Sequence, residues 1–191
     1  MKKIVITGGL GYIGTELCKI YSGYSWNDSI TVIDNRFISE RVNQLRNWNM
    51  NFVQGDILDK DLVKKYCYDA DIVHHLAGIT NVPRVKSESS KEHDEKIMNV
   101  AEVGTQNILD VITNKCKIIM PSTHVIYEGL DNVKKDLEEE EPAKPILSYG
   151  KSKFINENQL KDSGKNYIIL RLGSVYGYST DTARVDIMAN F

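Results

Sequence analysis

The chain has 191 residues, of which 41% are apolar and 26% charged, with a formal net charge of −2. This is the length and composition of one globular domain with a real core. A charge so near zero excludes a global pull toward nucleic acid or an anionic membrane surface, and no apolar run approaches the ~18 residues a membrane span needs.

The start, M-K-K-I-V-I-T-G-G, pairs a short basic head with an apolar run. Glycines break that run after four residues and no small-residue cleavage site follows, so it does not read as a signal peptide. Residues 4–7 (I-V-I-T) instead predict the first strand. Ile13, Leu17, Ile20 and Tyr21 then recur at helix spacing. Residues 30–34 (I-T-V-I-D) predict a second strand and 51–54 (N-F-V-Q) a weaker third. Leu62, Val63 and Tyr66 mark a brief helix, and residues 71–76 a fourth strand.

Residues 94–113 place Ile97, Val100, Ile108, Val111 and Ile112 on one side of a longer helix. Gly104 inside it is either a point of close packing against the sheet or simply tolerated. Residues 117–122 and 167–171 predict the last two strands, separated by a helix over 148–160. Several strand runs are continuously apolar, the pattern of strands covered on both faces. The βαβα alternation predicts an α/β fold: a doubly wound, mostly parallel Rossmann-type sheet with helices on both faces. Residues 80–90 and 131–145 read as loops, and the acidic run Glu138–Glu141 as a solvated face.

Cys18, Cys67 and Cys116 are widely spaced and form no C-x-x-C. They read as small buried thiols in a reducing compartment. His74, His75, His93 and His124 show no metal-ligand spacing, so no metal is expected. The expected location is cytoplasmic, with no nucleic-acid or membrane partner.

The stretch T-G-G-L-G-Y-I-G places Gly8, Gly11 and Gly14 at G-x-x-G-x-x-G spacing, between the first strand and the first helix. Glycines there permit a tight turn and close backbone approach to a pyrophosphate, and the helix N-terminus offers unpaired N–H groups. Asp34 follows Gly14 by twenty residues at the end of the second strand, placed to accept both hydroxyls of an adenosine ribose. It favours NAD over NADP, a preference that Arg36 could soften. Asp56, in Q-G-D-I, is placed either to meet an adenine edge or to cap the following helix.

Taken together, T-G-G-L-G-Y-I-G, D-N, G-D-I, H-L-A-G, N-V-A-E-V-G-T-Q-N, P-S-T-H-V-I-Y, Y-G-K-S-K and R-L-G-S-V-Y-G resemble the extended short-chain dehydrogenase/reductase family. Within it they resemble the NAD-dependent nucleotide-sugar epimerases and dehydratases. The resemblance implies Thr123, Tyr149 and Lys153 as the catalytic residues. It implies a cofactor-lining set of Gly8, Gly11, Tyr12, Ile13, Gly14, Asp34, Asn35, Asp56, Ile57, Leu76, Ala77, Gly78, Asn99, Tyr149 and Lys153, with Asn99 as the family's structural asparagine. Tyr149 and Lys153 sit four apart on a helix and can share a face, where an ammonium favours the phenolate.

The implied chemistry is hydride exchange between NAD and a nucleotide-diphosphate sugar through a transient 4-keto sugar, with Tyr149 as acid/base. A nucleotide-sugar reductase or dehydrogenase and a non-catalytic NAD-binding module are the alternatives, and a homodimer is an option. The family's dehydratases carry D-E after the active-site threonine. His124 and Val125 stand there in this chain, which disfavours 4,6-dehydration. Glu128 replaces a family glycine, a change expected to shift the loop that meets the sugar. Arg84 and Lys86 are candidates to meet a phosphate. Residues 1–175 are expected to form the NAD-binding domain and 176–191 to begin a substrate region that is largely absent. The chain alone is then expected to bind NAD and turn over sugar poorly.

Overall fold

Six strands form one parallel sheet: β1 (Lys3–Thr7), β2 (Ser29–Asp34), β3 (Asn51–Gln54), β4 (Ile72–His75), β5 (Lys117–Thr123) and β6 (Asn166–Leu172). Their spatial order is β3-β2-β1-β4-β5-β6, so chain direction reverses across the sheet between β1 and β4. The computed structural model describes residues 1–24, 28–80, 90–130 and 136–177. The loop expectations at 81–89 and 131–135, with Arg84 and Lys86, fall outside them. So does all but the start of the substrate region expected over 176–191.

The connecting helices are α1 (Tyr12–Gly23), α2 (Ser39–Asn47), α3 (Lys60–Cys67), α4 (Lys91–Val111) and α5 (Ser148–Asp162). Alternate residues of β1 explain the two-sided core. Ile4 and Ile6 pack with Cys18 of α1 and with Val42 and Leu45 of α2. Val5 packs to the opposite face with Val63 of α3, Ile108 and Leu109 of α4 and Leu160 of α5. Each such fully buried aliphatic side chain contributes about 1.5–3 kcal/mol relative to exposure.

Two expectations change. On α1 the buried face is Gly14, Thr15 and Cys18, whereas Ile13 and Ile20 are exposed. Small residues face the sheet there because the helix lies close to the glycine-rich turn. The apolar run of β6 suggested a strand covered on both faces, yet β6 is an edge strand of the described sheet, with Tyr167, Ile168 and Leu170 exposed. Helix α2 was not foreseen. It is short and polar, buries only Arg41, Val42 and Leu45, and is preceded by Ile38 with no side-chain cap.

Gly104 packs on a turn rather than on the sheet. A Cβ there would stand 2.3 Å from Ile57 Cδ1. Cys18, Cys67 and Cys116 are free and buried. Burial pushes the Cys18 and Cys67 thiols up to about 12 and Cys116 to about 11, so these thiols are poor nucleophiles.

Candidate active site

Thr7, Asp34, His75 and Thr123 are the last residues of β1, β2, β4 and β5. All strands are parallel, so these residues share one edge of the sheet. The order reversal between β1 and β4 opens the crevice where ligands of such folds sit.

The first wall is built from backbone. Gly8 has φ +69°, and a Cβ there would stand 2.7 Å from Ala77 Cα. Only glycine accommodates both the conformation and the contact. Leu76 donates its N–H to the Thr7 carbonyl (3.1 Å) and Ala77 its N–H to Thr7 Oγ1 (3.3 Å). The turn after β1 is thereby held against the end of β4. A Cβ on Gly14 would lie 2.6 Å from the Gly8 carbonyl oxygen, so α1 starts in direct contact with the turn. Its N-cap is Gly11, with no side-chain cap and no acidic residue in the first turn. That end presents N–H groups and a positive dipole suited to an anion. Tyr12 donates its hydroxyl to the Gly177 carbonyl (2.7 Å), while Ile13 stands exposed beside it.

Asp34 is buried at the end of β2. Its carboxylate accepts the Leu10 N–H (3.0 Å) and the Arg36 N–H (3.0 Å), and Arg36 closes an ion pair on it at 3.1 Å. Arg41, on the unforeseen α2, reaches the Leu10 carbonyl. Asn35 is exposed and donates to Asp56 Oδ2 (3.1 Å), while Asp56 Oδ1 accepts the Leu58 N–H (3.0 Å). The capping alternative for Asp56 fails: Asp59 caps α3, accepting from Asp61 and Leu62. Asn99 is exposed on α4. Asn107 is buried on the same helix and donates to the Ile57 (3.0 Å) and Leu58 (3.2 Å) carbonyls, holding the turn after β3. Asn107 stands in the same N-V-A-E-V-G-T-Q-N stretch, eight residues later.

The second wall is built from side chains of α5 and β5. Lys153 is buried, and burial pulls its ammonium down to about 8. Its Nζ lies 3.9 Å from where a Gly78 Cβ would stand, at the end of β4. His75 is fully enclosed nearby, between Thr7 Oγ1 (2.9 Å) and Thr105 Oγ1 (3.0 Å). Burial, assisted by the Lys153 charge, drops its pKa to about 3; His75 is therefore neutral and leaves Lys153 as the local cation. Tyr149, partly buried, stands one helical turn before Lys153. Gly150 between them lets α5 approach the turn that follows β5: a Cβ there would lie 3.2 Å from the Val125 carbonyl oxygen.

Thr123 is buried and caps the 3-10 turn His124–Tyr127, accepting the Val125 N–H at 3.2 Å. His124 is exposed and lies 3.2 Å from the Leu172 carbonyl through Nδ1.

Glu157 escaped the sequence reading, and Glu128 was noted there only as replacing a family glycine. Glu128 accepts the N–H groups of Ile146 (2.5 Å) and Leu147 (2.6 Å). It thereby holds the backbone that leads into α5. Glu157 has no exposed surface and sits two turns after Tyr149. It accepts Ser122 Oγ (2.6 Å) and both Nε (3.0 Å) and Nη2 (2.7 Å) of Arg171. Arg171 in turn reaches Tyr127 and the Glu139 carbonyl. The acidic run is therefore held through its backbone at Glu139. Among the described residues no group of three or more His, Cys, Asp or Glu gathers to hold a metal, and no helix is long and apolar enough to cross a membrane.

Residues 4–190 match the NAD dependent epimerase/dehydratase family, and the chain belongs to that family. A Methanocaldococcus jannaschii protein provisionally named a UDP-glucose 4-epimerase is 31% identical over 186 residues, 93% of this chain and 57% of the relative. A UDP-N-acetylglucosamine 4-epimerase from Methanobrevibacter ruminantium, solved with UDP-N-acetylmuramic acid, is similar with TM-score 0.78 and 27% identity, covering 94% of this chain and 57% of that one. The Bordetella bronchiseptica enzyme WbmH, solved with NAD+, gives TM-score 0.77 at 27% identity, covering 93% and 57%. This chain thus spans little more than half the length of these relatives.

Proposed function

We propose that this chain forms the cofactor-binding half of an NAD-dependent epimerase acting on a nucleotide-diphosphate sugar. The observation that carries the reading is the placement of Tyr149 and Lys153 on α5, with the Lys153 ammonium beside Gly78, one residue beyond the backbone on which the glycine-rich turn packs. The relatives' named substrates and the NAD bound to WbmH support it.

Bound NAD would take up and return the hydride at the sugar carbon. The start of α1 after Gly11, with Tyr12 and Ile13, holds the pyrophosphate, and Asp34 the adenosine ribose. Asn35, Asp56 and Ile57 meet the adenine side, and Leu76, Ala77, Gly78 and Asn99 line the nicotinamide side. Lys153 holds the second ribose and keeps a positive charge beside Tyr149, because a pKa of about 8 leaves it mostly protonated at neutral pH. Tyr149 takes the proton of the sugar 4-hydroxyl and returns it after the transient ketone has turned over. Thr123 donates a hydrogen bond to the same oxygen. The assembly is taken to be a homodimer, which a light-scattering mass of one chain would remove from the proposal.

The test is mass spectrometry of the ligand that co-purifies with the chain, followed by turnover of a panel of UDP-, GDP-, CDP- and dTDP-sugars. The expected result is retained NAD, slow epimerisation without net cofactor change, and loss of that activity in Tyr149→Phe. Net consumption of NADH would move the reading to a reductase. Epimerisation of UDP-glucose at an ordinary rate would overturn the expectation that this chain turns over sugar poorly. Retained NAD with no sugar chemistry would leave a binding module.

A further inference from the structure

Asp34 is the residue on which preference for an unphosphorylated ribose would rest, and its carboxylate is fully engaged. Oδ1 accepts the Arg36 N–H (3.0 Å) and Arg36 Nε (3.1 Å). Oδ2 accepts the Leu10 N–H (3.0 Å) and Arg36 Nη2 (3.4 Å). A carboxylate offers about four lone-pair sites, so none remains for the two ribose hydroxyls. Two donors are backbone groups fixed by the turn. The guanidinium is what an incoming ribose displaces, and it is the mobile partner: the Arg36 side chain is 49% exposed against 4% for Asp34.

The displaced group stays close. Arg36 is two residues from Asp34, and its Nη2 already lies 3.7 Å from where a Gly11 Cβ would stand. The formal charge of the pair is zero, which cancels the repulsion a lone carboxylate would exert on a phosphate. Arg41, held on the Leu10 carbonyl from α2, adds a second positive charge at the turn. Asp56, the carboxylate that Asn35 links to this end of the site, is engaged by Asn35 and the Leu58 N–H.

We propose that the adenosine end of this site accepts a 2′-phosphorylated dinucleotide as well as NAD, with Arg36 as the residue that receives the phosphate. A guanidinium binds phosphate bidentately, which an ammonium cannot. The inference rests on the dinucleotide-binding reading of the glycine-rich turn and adds a specificity to it.

Direct binding tests it without any turnover: calorimetric titration of the chain, stripped of bound ligand, with NAD and with NADP. The expected dissociation constants lie within about tenfold of each other. Arg36→Gln and Arg36→Ala should each weaken NADP by about tenfold or more and leave NAD unchanged or tighter. Arg36→Lys should fall between. Asp34→Asn should weaken NAD and spare NADP. Circular dichroism checks that each variant folds, and two Arg36 variants guard against one that does not. Wild-type NADP binding more than about 100-fold weaker than NAD overturns the proposal, as does equal weakening of both ligands in the Arg36 variants. Failure of a folded chain to bind either dinucleotide overturns the underlying reading itself, an outcome distinct from the other two.

Discussion

The two walls of the candidate site are made of different materials. The wall around Gly8, Gly14 and Asp34 consists of backbone turns with one carboxylate tied to backbone N–H groups and a neighbouring arginine. The wall around Thr123, Tyr149 and Lys153 depends on buried charges: Lys153 without exposed surface to speak of, and Glu157 enclosed between Ser122 and Arg171. A backbone wall is set by sterics and is insensitive to pH. A buried-charge wall carries its stability in protonation states, so perturbations should act mainly on the α5 side.

The largest expected effect is at Glu157. Removing the carboxylate in Glu157→Ala leaves Arg171, 19% exposed in its side chain, without its partner, and should cost about 3–5 kcal/mol in denaturant unfolding. Burial works to raise the Glu157 pKa, but hydrogen bonds from Arg171 and Ser122 outweigh it and the net shift is downward. Stability from this group is therefore present above the ordinary glutamate pKa and lost as pH falls through the depressed one. Glu157→Gln should flatten that acid limb. An unchanged acid limb in the glutamine variant would break the contrast between the walls.

Lys153 gives the opposite limb. Its folded pKa of about 8 lies below the ordinary lysine value of 10.5, so the unfolded chain binds more protons between those values and stability rises with pH across that window. The rise should amount to about 3 kcal/mol at most and be missing in Lys153→Met. Equal alkaline profiles in the two proteins would show that the ammonium is better solvated than the packing indicates.

The smallest effect sharpens the comparison within the second wall. Glu128→Ala removes the acceptor for the Ile146 and Leu147 N–H groups and should cost about 1 kcal/mol, the scale of a lost hydrogen bond. Because α5 begins there and carries Tyr149, residual epimerisation should fall more than NAD affinity does. Equal losses would place Glu128 as a general support of the fold.

The six strands, the parallel sheet and four of the five helices were legible because continuous apolar runs and helical spacing report burial directly. Helix α2 was not, since Ser39–Asn47 has few apolar positions and no capping side chain. The glycine-rich turn was legible for the same reason that it works: its residues are local in sequence. Glu157 was hidden because its partner Ser122 lies 35 residues away, and the partners of Glu128 because Ile146 lies 18 residues away. Glu157 does not differ in the sequence from the exposed carboxylates of the acidic run.

By itself the sequence determined the α/β fold, the turn that only glycine can make at Gly8, and the pairing of Tyr149 with Lys153 on one helix face. These follow from rules that act within a few residues: steric limits on φ and the period of a helix. Only the tertiary structure decided that Arg36 occupies the carboxylate of Asp34, that Asn107 clamps the turn after β3, and that Glu157 is the buried charge tying β5, β6 and α5 together. Charge and hydrogen-bond capacity are fixed by residue type, but how much water surrounds them depends on segments far apart in the chain.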